Sequence, residues 1–182
     1  MNCWKSINVK RDYHPSRLMI FSFSMIIVTF ILGYLGLSLY HRNQAYTELS
    51  MLHTLLFLIL LFPVHSFLHV VPLRFAGVHV DWNRLFFRRK RKAMLFLKFT
   101  RPVSRNYYIG AMLFPACFIN ISAVAGAFLF PSLMHYFVLI FSFNSGLAVY
   151  DFIYVKQLLG APRHCYIEQN RNGLDILVKQ PV

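Results

Sequence analysis

The chain has 182 residues, a length that suits one domain, with 57% hydrophobic residues and a formal net charge of +13. A soluble domain of this size cannot hide so much apolar surface, and the apolar residues fall in long blocks with the basic ones between them, as in a multi-spanning membrane protein. Phe, Leu and Ile dominate outside one basic loop and no nucleic-acid motif occurs, which speaks against a basic nucleic-acid binder. The three cysteines, Cys3, Cys117 and Cys165, are too scattered for a disulfide framework.

Residues 1–17 read as a polar, basic cytoplasmic segment with Lys5, Lys10, Arg11 and Arg17 against Asp12. A first span is expected over residues 18–40. No small-residue cleavage site follows it, so it reads as a retained helix rather than a signal peptide. After a short polar link, a second span is expected over residues 50–72. Residues 73–105 form a loop with ten Lys or Arg against Asp81 alone. The third span is expected over residues 106–130, and Pro131 breaks it from a fourth over residues 132–159. Residues 160–182 form a polar tail opened by Gly160-Ala161-Pro162. The Lys/Arg-rich segments lie on one side if both termini are cytoplasmic, as the positive-inside rule requires. The fold class expected is therefore an all-α membrane protein of about four transmembrane helices, residues 18–159, with small cytoplasmic β-hairpins.

One hairpin is expected in the basic loop, where partly alternating runs flank Arg88-Arg89-Lys90-Arg91-Lys92. Those five cations would contact anionic lipid heads, each contributing roughly 1 kcal/mol. The second hairpin is expected in the tail, at residues 166–178, turning at Asn172-Gly173.

Ionisable groups inside spans mark function, because a buried charge in the membrane costs a few kcal/mol unless it is paired. Only Asp151 among the six acidic residues falls inside a span. The second span ends in Pro63-Val64-His65-Ser66-Phe67-Leu68-His69. His65 and His69 are one helical turn apart on one face, the spacing that lets two imidazoles share a zinc ion in H-E-x-x-H. The second and fourth spans run in the same direction. Counting residues to Arg74 and Lys156 puts His69 and Asp151 roughly 7 Å from the cytoplasmic edge, with His65 about 6 Å deeper. Two histidines and a carboxylate with an open fourth position are a catalytic-type zinc set. The alternative is a His–Asp ion pair that holds two helices together. Asn144, two turns before Asp151, is placed to bond a histidine or a substrate backbone. Asn120 is read as a cross-helix hydrogen-bond partner, as are His53 and His135. Pro63 and Pro115 are expected to kink their helices and free backbone carbonyls.

These residues together resemble a family of bacterial membrane proteins classed as zincin peptidases, distantly similar to site-2 intramembrane proteases. The similarity spans about residues 50–180. It rests on the histidine pair, on Arg101-Pro102-Val103-Ser104-Arg105 before a span with the early proline Pro115, and on Asn144 with Asp151. The link Leu158-Leu159-Gly160-Ala161-Pro162 and the acidic Gly-containing tail complete it. The resemblance implies a bacterial inner-membrane location, zinc as the cofactor and metallopeptidase ancestry. It also exposes a departure: the family has glutamate after the first histidine, and Ser66 stands there. That glutamate moves protons between the attacking water and the leaving amine, and a serine hydroxyl is no base at neutral pH. The function expected is a zincin-like protein with degenerate catalysis that binds membrane lipid and a transmembrane protein segment. Two rivals stand beside it: an active metallopeptidase with a displaced base, for which Glu168 and Asp175 are the acids in the tail, and a metal-free structural protein. A transporter is disfavoured because no internal repeat occurs.

Overall fold

The structure is a computed structural model, and it describes residues 2–42, 45–75, 77–78, 102–170 and 173–178. The basic-loop hairpin and the cluster Arg88 to Lys92 lie outside the described residues.

The helices follow the apolar blocks. Helix α1 is a single turn, Val9–Asp12, and α2 runs Pro15–Tyr40, with proline at its first position, where the missing N–H costs nothing. Helices α3 (Met51–Leu68) and α4 (Val70–Phe75) join into one apolar helix of 25 residues. Their joint falls at His69, because Pro72 has no N–H to give the carbonyl of Leu68. Helix α5 is Arg105–Leu129. The block expected as one last helix is divided: a 3-10 turn, Pro131–Leu133, leads into α6 (Met134–Leu147), and α7 (Val149–Leu159) follows at a bend of 44°. Among the described residues, three helices are long and apolar enough to cross a membrane, or four if the bent pair counts as one.

The chain divides into two compact units whose boundaries cut through helices. One comprises Pro15–His65 and Pro115–Asp151. In it α2 packs along α6, and a core of Ala127, Met134 and Val138 is covered by Phe30, Leu37 and Phe137. The close approach of these helices needs Gly146, where a Cβ would collide with the Ile26 side chain. Thr47 N–H donates to the Ser132 carbonyl at 2.9 Å, and Leu49 N–H to the Tyr136 hydroxyl at 2.6 Å, pinning the link after α2 to the start of α6.

The other unit comprises Met1–His14, Ser66–Phe114 and Phe152–Val182. Among the described residues it holds one antiparallel sheet. Strands β1 (Asn2–Ile7), β2 (Val103–Ser104), β3 (Cys165–Asn170) and β4 (Gly173–Val178) lie in the order β1-β4-β3-β2. The tail hairpin is its centre, and two pieces distant in sequence flank it. The amino-terminal segment, expected as a plain polar stretch, supplies β1. The register pairs Asn170 with Gly173, so Gly173 is a strand residue rather than part of the turn. Its lack of a side chain has a different cause: a Cβ there would strike the Ile7 carbonyl on β1. Period-2 alternation buries Val103, Cys165, Ile167, Leu174 and Ile176 on one face. Burying each such branched aliphatic contributes about 1.5–3 kcal/mol. Arg105 clamps the neighbouring link, its Nη1 donating to the Ala161 carbonyl at 2.6 Å. Burial pushes the Cys165 thiol up, and the Arg105 charge opposes that shift.

Candidate metal centre

His65 lies in α3, Asn144 in the last turn of α6 and Asp151 in the first turn of α7. The bend between α6 and α7 lets both of the latter reach one imidazole. Nδ1 of His65 is 2.7 Å from Asn144 Oδ1, and Nε2 is 3.1 Å from Asp151 Oδ2. All three residues are buried, Asn144 completely and His65 and Asp151 at 6% and 9% exposure.

The amide network gives these contacts a direction. Asn144 Nδ2 donates to Asn120 Oδ1 at 2.8 Å. Asn120 Nδ2 donates to Ser145 Oγ at 3.2 Å, and Ser145 Oγ donates to the Phe141 carbonyl at 2.8 Å. Each group in the series gives one hydrogen and accepts another, so Asn144 turns its oxygen, not its nitrogen, to His65. Nδ1 of His65 therefore carries the proton. In a neutral imidazole Nε2 then holds a lone pair, and it faces a carboxylate oxygen. Two acceptors at hydrogen-bond distance require a cation between them, either a proton or a metal.

His69 repeats the pattern. Its Nδ1 lies 2.8 Å from the Ala111 carbonyl. A carbonyl only accepts, so Nδ1 again donates and Nε2 is the nitrogen left to ligate. His65 and His69 are consecutive turns of the 25-residue helix, and His65 already meets Asp151. One ligand atom from each of the three residues lies within 4.8 Å of the others. A tetrahedral zinc site with bonds of about 2.0–2.1 Å sets its ligands about 3.3 Å apart. The 3.1 Å His65–Asp151 separation is close to that already, and the remaining ligand atom lies within 4.8 Å of both. Both histidines donate their other ring nitrogen to an oxygen, as metal-ligating histidines do. The donor set fits zinc.

The structure thus brings together His65, His69, Asp151 and Asn144, the residues singled out from the sequence. Ser66, 8% exposed, occupies the position after His65. The two tail acids are register partners in the sheet: Glu168, exposed, stands opposite Asp175, on the face away from buried Ile167 and Ile176. Neither outlying histidine is the cross-helix hydrogen-bond partner expected. His53 is exposed, and His135 packs its ring against Tyr46 and Tyr136 while its buried Nδ1 makes no hydrogen bond. Two participants were missed from the sequence. Ser145 ends the amide series, and Ala111 acts through its backbone, which has no side-chain signal.

No curated protein and no solved structure matches the chain. Residues 58–166 match one protein family and span the histidine pair, Asn120, Asn144 and Asp151. By that match over more than half its length, the chain belongs to the family described as "putative zincin peptidase".

Proposed function

We propose that this protein is a multi-pass protein of the bacterial inner membrane that holds one zinc ion on His65, His69 and Asp151. In this reading it binds a transmembrane segment of another protein and has lost most or all peptide hydrolysis. The observation that carries the metal site is the convergence of acceptors: two imidazoles with Nδ1 committed to oxygen, set against one buried carboxylate. A zinc ion held there supplies Lewis acidity toward a carbonyl or a water. Asn144 orients His65, and the Ala111 carbonyl orients His69. The general-base position holds the Ser66 hydroxyl, which does not accept a proton at neutral pH, so proton transfer to a leaving amine has no agent at that position. Membrane residence is supported by the apolar helices and by Phe21, Phe23, Ile31 and Leu35 of α2, each more than half exposed. A patch of that kind is larger than soluble monomers tolerate.

The test is elemental analysis of detergent-purified protein beside His65→Ala and Asp151→Asn. Near-stoichiometric zinc in the wild type, lost in both variants, is expected. Zinc absent after mild purification and replenishment, with variants merely less stable, would leave the His65–Asp151 pair as a helix tie. Zinc-dependent cleavage of a membrane substrate, abolished by Asp151→Asn, would overturn the loss of catalysis and point to a displaced base.

A further inference from the structure

Pro115 stands inside α5, fully buried. Its effect is felt four residues back. In an α-helix the N–H of residue 115 bonds the carbonyl of residue 111, and proline has no N–H. The carbonyl deprived of that donor belongs to Ala111, the group that accepts from His69 Nδ1 at 2.8 Å. Ala111 itself is completely buried, so water cannot supply a donor in its place, and an unbonded buried carbonyl is costly.

We infer that Pro115 is a positioning residue for the metal centre: by withholding its N–H it delivers the Ala111 carbonyl to His69 and locks that imidazole with Nδ1 protonated and Nε2 ready to ligate. The inference rests on the metal site proposed above for its consequence, but the tautomer it predicts exists with or without metal. An ordinary residue at 115 would give its own N–H to Ala111; a carbonyl can accept twice, but that bond would draw its oxygen back along the helix axis and weaken the one to His69. The imidazole would then rotate or change tautomer, and its Nε2 would no longer be fixed. The helix would gain a hydrogen bond while the site loses one, so helix integrity and ligand order should move in opposite directions.

The experiment uses the full chain in detergent, with histidine labelled by nitrogen-15 and the His69 signals assigned by their loss in His69→Gln. Nitrogen shifts of metal-free protein report which ring nitrogen carries the proton. The wild type should show His69 protonated at Nδ1, and Pro115→Ala should lose that preference while remaining at least as resistant to heating. Pro115→Ser restores the same N–H with a different side chain and must behave alike. Zinc affinity, measured against a competing chelator, should fall about 10- to 100-fold in both, the usual loss when a ligand's supporting hydrogen bond is removed. An unchanged His69 tautomer in both variants overturns the role of Pro115. If the wild type itself takes up no zinc, the metal centre fails, and the nitrogen shifts alone decide Pro115.

Discussion

At the residue scale, the chemistry turns on which nitrogen of each imidazole is protonated. Asn144 answers that for His65, and the Ala111 carbonyl for His69. Asn144→Leu should therefore do two things. It strands a buried donor and should lower stability by about 1–3 kcal/mol. It also frees His65 to change tautomer and should weaken zinc binding about 10- to 100-fold. Asn120→Ala should give a smaller loss of affinity, because Asn144 retains its contact with the Pro115 carbonyl at 3.5 Å. Thermal melts and chelator competition on both variants check the order. Cys165 offers a separate residue-level check. Its thiol is buried and pushed up, so less thiolate is present at neutral pH. It should react with maleimide far more slowly than exposed Cys3, and unfolding should remove the difference.

At the element scale, breaks in helices serve the site. His69 sits at the joint of α3 and α4, and Asn144 and Asp151 sit on either side of the bend between α6 and α7. A straight last helix would hold Asn144 and Asp151 two turns apart along one line, whereas the bend aims both at one ring. The sheet shows the same economy. Gly173 admits β1 against β4, so Gly173→Val should expel β1 and leave the β3–β4 ladder intact. Hydrogen exchange should then show loss of protection in the amides of Asn2–Ile7 with protection of Cys165–Asn170 kept. Loss of protection in both strands would mean that β1 is integral to the hairpin rather than an addition to it.

At the scale of the whole molecule, apolar exposure and charge distribution meet. Alkaline carbonate should leave the protein in the membrane pellet, because helices such as α2 bury almost nothing within the chain. The topology proposed from the positive-inside rule has the amino-terminal segment in the cytoplasm. A membrane-impermeant maleimide should therefore label Cys3 in inverted vesicles and leave it untouched in right-side-out ones. The opposite labelling would invert the topology and, with it, the side from which the centre is reached.

The sequence by itself determined the apolar helices, the tail hairpin and the residue types of the candidate metal centre. Hydropathy, period-2 alternation and the four-residue histidine spacing are local properties, and residues 61–72 and 144–151 carry them within a few turns of chain. It also carries Ser66 directly after His65, where the zinc motif H-E-x-x-H has glutamate. What the tertiary structure decided depends on contacts between distant segments. Strand β1 joins a sheet from residues more than 160 positions away, and nothing in Asn2–Ile7 alone names its partner. Asn120 and Asn144 looked like two independent cross-helix bonds until their 2.8 Å contact made them one directed series. His135 looked like a hydrogen-bond partner until its ring was found among tyrosines. Pro115 lies between the two cases. Its missing N–H can be read in the chain, but only the packed structure brings His69 to the carbonyl that the proline leaves open.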